Sequence, residues 1–286
     1  MEYKTGRGQE RCRFPLTSVL APAEVASARL TGTFRSLMKS LIKACLIRTL
    51  GYQRFLVATY WMRRLLQLLR GQRSEFVVLA SLTEPGTLIL DIGANIGYVS
   101  AVFAAVPGAQ VYAYEPDADN FTCLVHTVGG RPNVVVQRIA IGAEDGDALL
   151  QEVFDHGVKQ HALSRVQTAS GSRSSGPRVL MRSIDSLRAS MNGQIGLIKL
   201  DVEGSECDVL RGMITSVRAS RPLIHAEICG SVVIDAFNRF CSVDTYTPYK
   251  WSSRWFQPVN KIAGGGNFLL VPRERQVRAW ASPSSA

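Results

Sequence analysis

Residues 88–100 read LILDIGANIGYVS: an apolar run ends on Asp91, breaks into a turn containing Gly93 and Gly97, and gives way to helix. An apolar run of strand length bounded by a glycine turn is how a buried strand passes into a helix, and such a strand needs cover on both of its faces. From Ser74 onward the same alternation repeats. Strands are expected over Leu88–Asp91, Gln110–Glu115, Val134–Ile139, Leu197–Asp201 and Leu223–Ile228, with a late one over Asn267–Val271. Strands alternating with helices predict an α/β fold with a doubly wound, mostly parallel, Rossmann-like sheet. We assign it to residues 74–275, preceded by a basic helical extension over 1–73 and followed by a polar tail over 276–286.

The turn after the first strand spaces its residues Gly93-Ala94-Asn95-Ile96-Gly97, two positions after Asp91. A dinucleotide turn wants three glycines as GxGxxG so that a pyrophosphate can approach the backbone. Here the third is missing and an acid comes first, which suits a ligand carrying an ammonium and a sulfonium, S-adenosylmethionine, better than NAD. A tight strand-to-helix turn would by itself account for the glycines. The next strand, VYAYEPD, ends at Glu115, 24 residues after Asp91. An acid there can accept hydrogen bonds from both ribose hydroxyls of an adenosine ligand.

A third element, LIKLDVEGSECDVLRGM, carries Lys199, Asp201 and Glu203 at the end of an apolar strand, and RPLIHAEIC ends the neighbouring one with His225 and Glu227. Open α/β sheets bind ligands outside the carboxyl ends of their strands, so substrate and methyl donor are expected to meet here. Asp201 is the candidate base or substrate-orienting carboxylate, with Glu227 assisting and Lys199 holding an acidic or polar substrate group. Glu203 serves equally as a helix-dipole partner. His225, alone in an apolar strand, reads as a satisfied core group. His161 is a further substrate-side candidate, and Thr168–Pro177, rich in Ser and Gly, reads as a loop.

In order and spacing, LILDIGANIG, YAYEPD, LIKLDVEGSE, RPLIHAEI and the late GGGNFLLVP resemble the FkbM family of methyltransferases, over roughly residues 75–273. The resemblance rests most on Asp201-Val202-Glu203-Gly204-Ser205-Glu206. It implies a class I methyltransferase fold, S-adenosylmethionine as cofactor, and methyl transfer to a hydroxyl of a saccharide or secondary metabolite. It implies cofactor roles for Asp91, Gly93, Asn95, Gly97 and Glu115. After the third strand the family carries a small polar residue ahead of an alanine. This chain has Gln137-Arg138-Ile139-Ala140, so Ala140 is carried over as a cofactor position while the adenine contacts depart from the pattern.

The formal net charge is +10, and residues 1–73 hold 14 Lys and Arg against 3 Asp and Glu, so the surplus lies in the extension. Two amphipathic helices are expected there. One carries a stripe of Phe34, Leu37, Met38, Leu41, Ile42 and Cys45; the other carries Ala58, Trp61, Met62, Leu65 and Leu69 opposite Arg63, Gln67 and Arg70. Helices with an apolar stripe more often simply pack that stripe on a domain, while the basic arm also suits an anionic membrane surface or an acidic protein. It lacks the interleaved aromatics of a nucleic-acid arm. The six cysteines form no CxxC pair and no metal-ligand spacing, which reads as no metal site, reduced thiols and a cytoplasmic protein, peripheral at most to a membrane. No NPPY, DPPY or Pro-Cys element is present, which disfavours adenine N6 and cytosine C5 methylation. Two other classes remain open: an NAD-dependent oxidoreductase or epimerase, and a non-catalytic docking module on a vestigial cofactor fold.

Overall fold

A computed structural model describes residues 42–69, 74–155, 158–159, 165–168, 176–252 and 255–275. His161, most of the first amphipathic stripe, residues 169–175 and the polar tail lie outside them.

The central sheet has eight strands. Five run parallel: β1 (Leu88–Ile92), β2 (Gln110–Tyr114), β3 (Val134–Gln137), β10 (Ile195–Leu200) and β11 (Leu223–Ile228). Three antiparallel strands extend it beyond β11: β14 (Gly266–Pro272), β12 (Tyr246–Ser252) and β13 (Trp255–Pro258). The order is β13-β12-β14-β11-β10-β1-β2-β3. Strand order therefore reverses between β1 and β10, which opens a crevice at their carboxyl ends.

All residues of β1 and β10 are buried, as continuous apolar runs demand. Their side chains alternate between two cores. Leu88, Leu90 and Ile92 join Ile198, Leu200, Ile224 and Ala226 beneath helices α7 (Glu206–Gly212), α8 (Ile214–Ser220) and α9 (Ser231–Val243), through Val209, Val217 and Phe237. Ile89, Val111, Ala113 and Leu197 face α2 (Tyr52–Leu69), α3 (Glu75–Leu82), α4 (Tyr98–Phe103) and α5 (Ala118–Val128), through Leu56, Leu79, Phe103 and Leu124. A smaller sheet, β4-β9-β5-β8, is built from β4 (Ala140–Ile141), β5 (Gly146–Gln151), β8 (Arg165–Thr168) and β9 (Arg178–Arg182) around Ala148, Leu150, Val179 and Met181. Two-residue strands β6 (Phe154–Asp155) and β7 (Val158–Lys159) form a hairpin beside it.

The extension contributes α1, a helix that includes residues 42–50, and α2. The face of α2 that docks differs from the expected stripe. Leu56 and Tyr60 are buried in the second core, and Gln53 Nε2 donates to Asp119 Oδ1 at 3.0 Å, whereas Trp61, Met62, Leu65 and Leu69 stay exposed. Leu56 and Tyr60 pack with Cys123, Leu124 and Val128 of α5, and of the other stripe Trp61 packs edge-on against Tyr60. Cys45, Cys123, Cys207 and Cys241 are free thiols. Among the described residues no helix is long and apolar enough to cross a membrane, and no group of three or more His, Cys, Asp or Glu is placed to hold a metal ion.

Candidate active site

A cavity of about 790 Å³ opens at the carboxyl ends of β1, β2, β10 and β11. Its wall includes Gly93, Asn95, Glu115, Ala140, Lys199, Asp201, Glu203 and Glu227. The site residues expected from sequence thus converge, with two exceptions: Asp91 and Gly97 sit behind the wall.

The turn after β1 explains its own glycines. At Gly93 φ is +78°, and a Cβ would lie 1.9 Å from the Asp201 carbonyl oxygen, so the adjacent strand ends can approach only with glycine there. At Gly97, the left-handed N-cap of α4, a Cβ would meet Thr127 Oγ1 at 2.6 Å and Leu124 Cδ1 at 2.9 Å. Gly97 is required for packing α4 on α5. Asn95, between them, takes φ +51°, a left-handed conformation that Asn tolerates better than most residues, and its Oδ1 accepts from the Ile96 N–H at 2.8 Å. Glu203 has φ +47° across the cavity. Two non-glycine residues in left-handed conformations facing one cavity mark a place where geometry is imposed on the backbone.

Glu115 lies just past β2 and is buried. Its Oε2 accepts the Asn95 N–H at 2.8 Å and its Oε1 the Asp117 N–H at 2.9 Å, so one carboxylate fixes the first turn to the start of α5. Oε2 keeps a second lone pair for a ligand hydroxyl, whereas Oε1 also takes a long contact from Asn120 Nδ2 at 3.5 Å. Burial raises the carboxyl from 4.5 to about 7, against the opposing effect of those two N–H groups. The folded protein then holds this proton to higher pH than the unfolded chain does. The stability so gained is complete below about 4.5 and is lost as pH rises through about 7, on the order of 3 kcal/mol at most. Denaturant midpoints measured from pH 5 to 8 without ligand should therefore fall more steeply in the wild type than in Glu115→Gln; parallel profiles would refute the shift.

Behind the turn lies a buried ionic knot. Asp91, fully inaccessible, accepts from Ser100 Oγ at 2.6 Å and faces Lys199 Nζ at 3.2 Å. Lys199 Nζ also donates to the Gly93 carbonyl at 2.6 Å and approaches Asp201 Oδ2 at 3.4 Å. Burial alone would lower the Lys199 pKa, but Asp91 and Asp201 outweigh it and the pKa is raised. With one backbone hydrogen bond and a carboxylate on either side, Lys199 is arranged to hold the turn and Asp201 in place.

Opposite Glu115 the wall is acidic, with Asp201, Glu203 and Glu227. Burial raises the Glu227 pKa, and Asp201 and Glu206 add to the rise while His225 opposes it. Glu203 precedes α7 by three residues; the acids in the helix's first turn are Glu206 and Asp208, so the dipole role belongs to them. His225 is buried behind the wall, its Nε2 2.8 Å from Glu75 Oε1. Glu75 was not legible as a site residue. It follows the N-cap Ser74, lines the cavity, and its Oε2 accepts from Asn267 Nδ2 at 2.8 Å, joining α3 to β14. Arg63, Leu66 and Trp251 complete this end, and Val166 of β8 closes a side. At the Glu115 end, Lys159 pairs with Asp117, Asp119 and Glu152 at 2.6–2.9 Å, fastening the β6–β7 hairpin to α5.

Residues 91–239, 149 of the 286, match the model of the methyltransferase FkbM domain. The chain belongs to the FkbM methyltransferase family. The matched region spans the strand ends that line the cavity, from β1 to β11. Over 160 residues the FkbM chain is 26% identical to the hexuronic acid methyltransferase AglP of Haloferax volcanii, a match covering 53% of this chain and 60% of that protein's length. Solved structures with a similar course include the FkbM methyltransferase of Methylobacillus flagellatus KT, at 15% identity and TM-score 0.42, covering 79% of this chain and 60% of that one. A putative O-methyltransferase from Klebsiella pneumoniae gives 14% identity and TM-score 0.42, covering 80% and 94%.

Proposed function

We propose that this FkbM protein transfers the methyl group of S-adenosylmethionine to a hydroxyl of a saccharide or similar polyhydroxylated small molecule. The observation that carries the reading is the two-ended cavity: Glu115, Asn95 and the Ile139–Ile141 segment at one end, Asp201, Glu203 and Glu227 at the other. The residues fit the cofactor. Glu115 Oε2 has acceptor capacity for a ribose hydroxyl, Ile139 to Ile141 offer an apolar edge to a purine, and the acids complement an ammonium and a sulfonium.

Bound there, the cofactor supplies a carbon already activated for in-line displacement, which leaves the protein mainly alignment and removal of one proton. Asp201 accepts or orients the acceptor hydroxyl, Lys199 fixes the Asp201 carboxylate, and Glu227, its pKa raised, takes part in carrying the proton off. Because Lys199 is buried between Asp91 and Asp201, the exposed Arg63 at the rim is the group that would pair with an acidic substituent.

AglP is named for action on hexuronic acid, and a carboxylated sugar is the acceptor that Arg63 favours. Incubation with S-adenosylmethionine and uronic-acid or neutral oligosaccharides should yield S-adenosylhomocysteine and a mass gain of one methylene on the sugar. Arg63→Ala should raise KM for the uronic acid several-fold and leave neutral acceptors unaffected. Equal KM changes for both, or no product from any hydroxylated acceptor, would overturn the reading.

A further inference from the structure

Helix α2 is amphipathic twice over. Leu56 and Tyr60 anchor it in the core, while Trp61, at 63% exposure, and Leu69, at 73%, stand out with Met62 and Leu65 on the other face. At 3.6 residues per turn these four fall within an arc of about 100°. A contiguous apolar face containing a tryptophan is costly to leave in water and marks a surface that is covered in use. Charge indicates what covers it. From residue 25 to residue 74 the sequence contains ten Lys and Arg and no Asp or Glu. Arg54 lies in the same exposed arc of α2, and Arg48 is exposed on α1. An apolar face flanked by cations alone, on a helix too polar to span, is the composition of an element that lies in a lipid headgroup layer.

We propose that α2 seats its Trp61–Leu69 face in an anionic lipid surface. The same turns of α2 supply Arg63 and Leu66 to the cavity rim, so docking would bring the mouth of the active site to that surface. The proposal stands on α2 and its charge, and does not depend on which acceptor is methylated.

Flotation of the full chain with vesicles tests it, comparing phosphatidylcholine alone with mixtures containing phosphatidylglycerol, in low and 1 M salt. The chain should float with the anionic vesicles, less so in high salt. Trp61→Ser/Leu65→Ser/Leu69→Ser should lose at least about ten-fold in bound fraction with nearly unchanged thermal stability, because these side chains are exposed and only Trp61 touches the core, edge-on against Tyr60. Arg48→Glu/Arg54→Glu, at exposed positions, should weaken binding comparably and guards against a folding defect in the triple variant. No flotation of the wild type, flotation of either variant at the wild-type level, or a wild-type dimer that the triple variant converts to monomer would overturn it, the last assigning the face to a second copy of the chain.

Discussion

Replacing Lys199 by methionine is expected to destabilise the protein by about 3–5 kcal/mol, because it would strand Asp91, which has no access to solvent. The loss is asymmetric. A buried ion pair adds little compared with two apolar residues, but removing one partner leaves the other desolvated and uncompensated. Lys199 Nζ also holds the Gly93 carbonyl at 2.6 Å, so the turn between β1 and α4 would loosen as well. A fall in Tm on the order of 10 °C follows for a domain of this size. A Tm within two or so degrees of wild type would show that the knot does not secure the turn. Glu227→Gln, at an exposed position on β11, should by comparison leave Tm nearly unchanged.

Asp201→Asn is expected to leave the fold close to wild type while lowering kcat at saturating cofactor by about 10²–10⁴, the range of one positioned acid or base. Asparagine keeps an oxygen that can face Lys199, so the ionic knot survives on its Asp91 side, but the amide cannot accept the hydroxyl proton. Rapid-mixing turnover with saturating cofactor would read the loss directly. An undiminished kcat would remove Asp201 from the chemistry and turn attention to Glu227, whose raised pKa arises from burial and from neighbouring acids.

The strands that build the crevice were legible because they are short apolar runs ending in charge: LILD, LIKLD and LIHAE appear in the sheet where the pattern placed them. Glu115 was legible for the same reason, as an acid at a strand end. What was illegible depends on long-range packing. Nothing local distinguishes Lys199 as a structural cation from a substrate-binding one; that requires Asp91, 108 residues earlier in the chain, at 3.2 Å. Glu75 reaches the site only because α3 packs beside β11 and β14, which no periodicity in its own segment encodes. The docked face of α2 was misassigned because both of its faces are apolar, and the choice is made by α5. Strands of two to six residues in the smaller sheet carry too short an alternation to read, and Pro248 inside β12 reads as a break although the strand continues through it.

The central claim is that Glu115 and the Gly93–Gly97 turn hold S-adenosylmethionine, and isothermal titration of the wild type and Glu115→Ala with that compound, and separately with NAD, tests it most directly. The account predicts micromolar binding of S-adenosylmethionine, lost by at least about ten-fold in the variant and tightening from pH 6 to 8 as Glu115 ionises, with no binding of NAD. Unchanged affinity in Glu115→Ala, or preference for NAD, would contradict it.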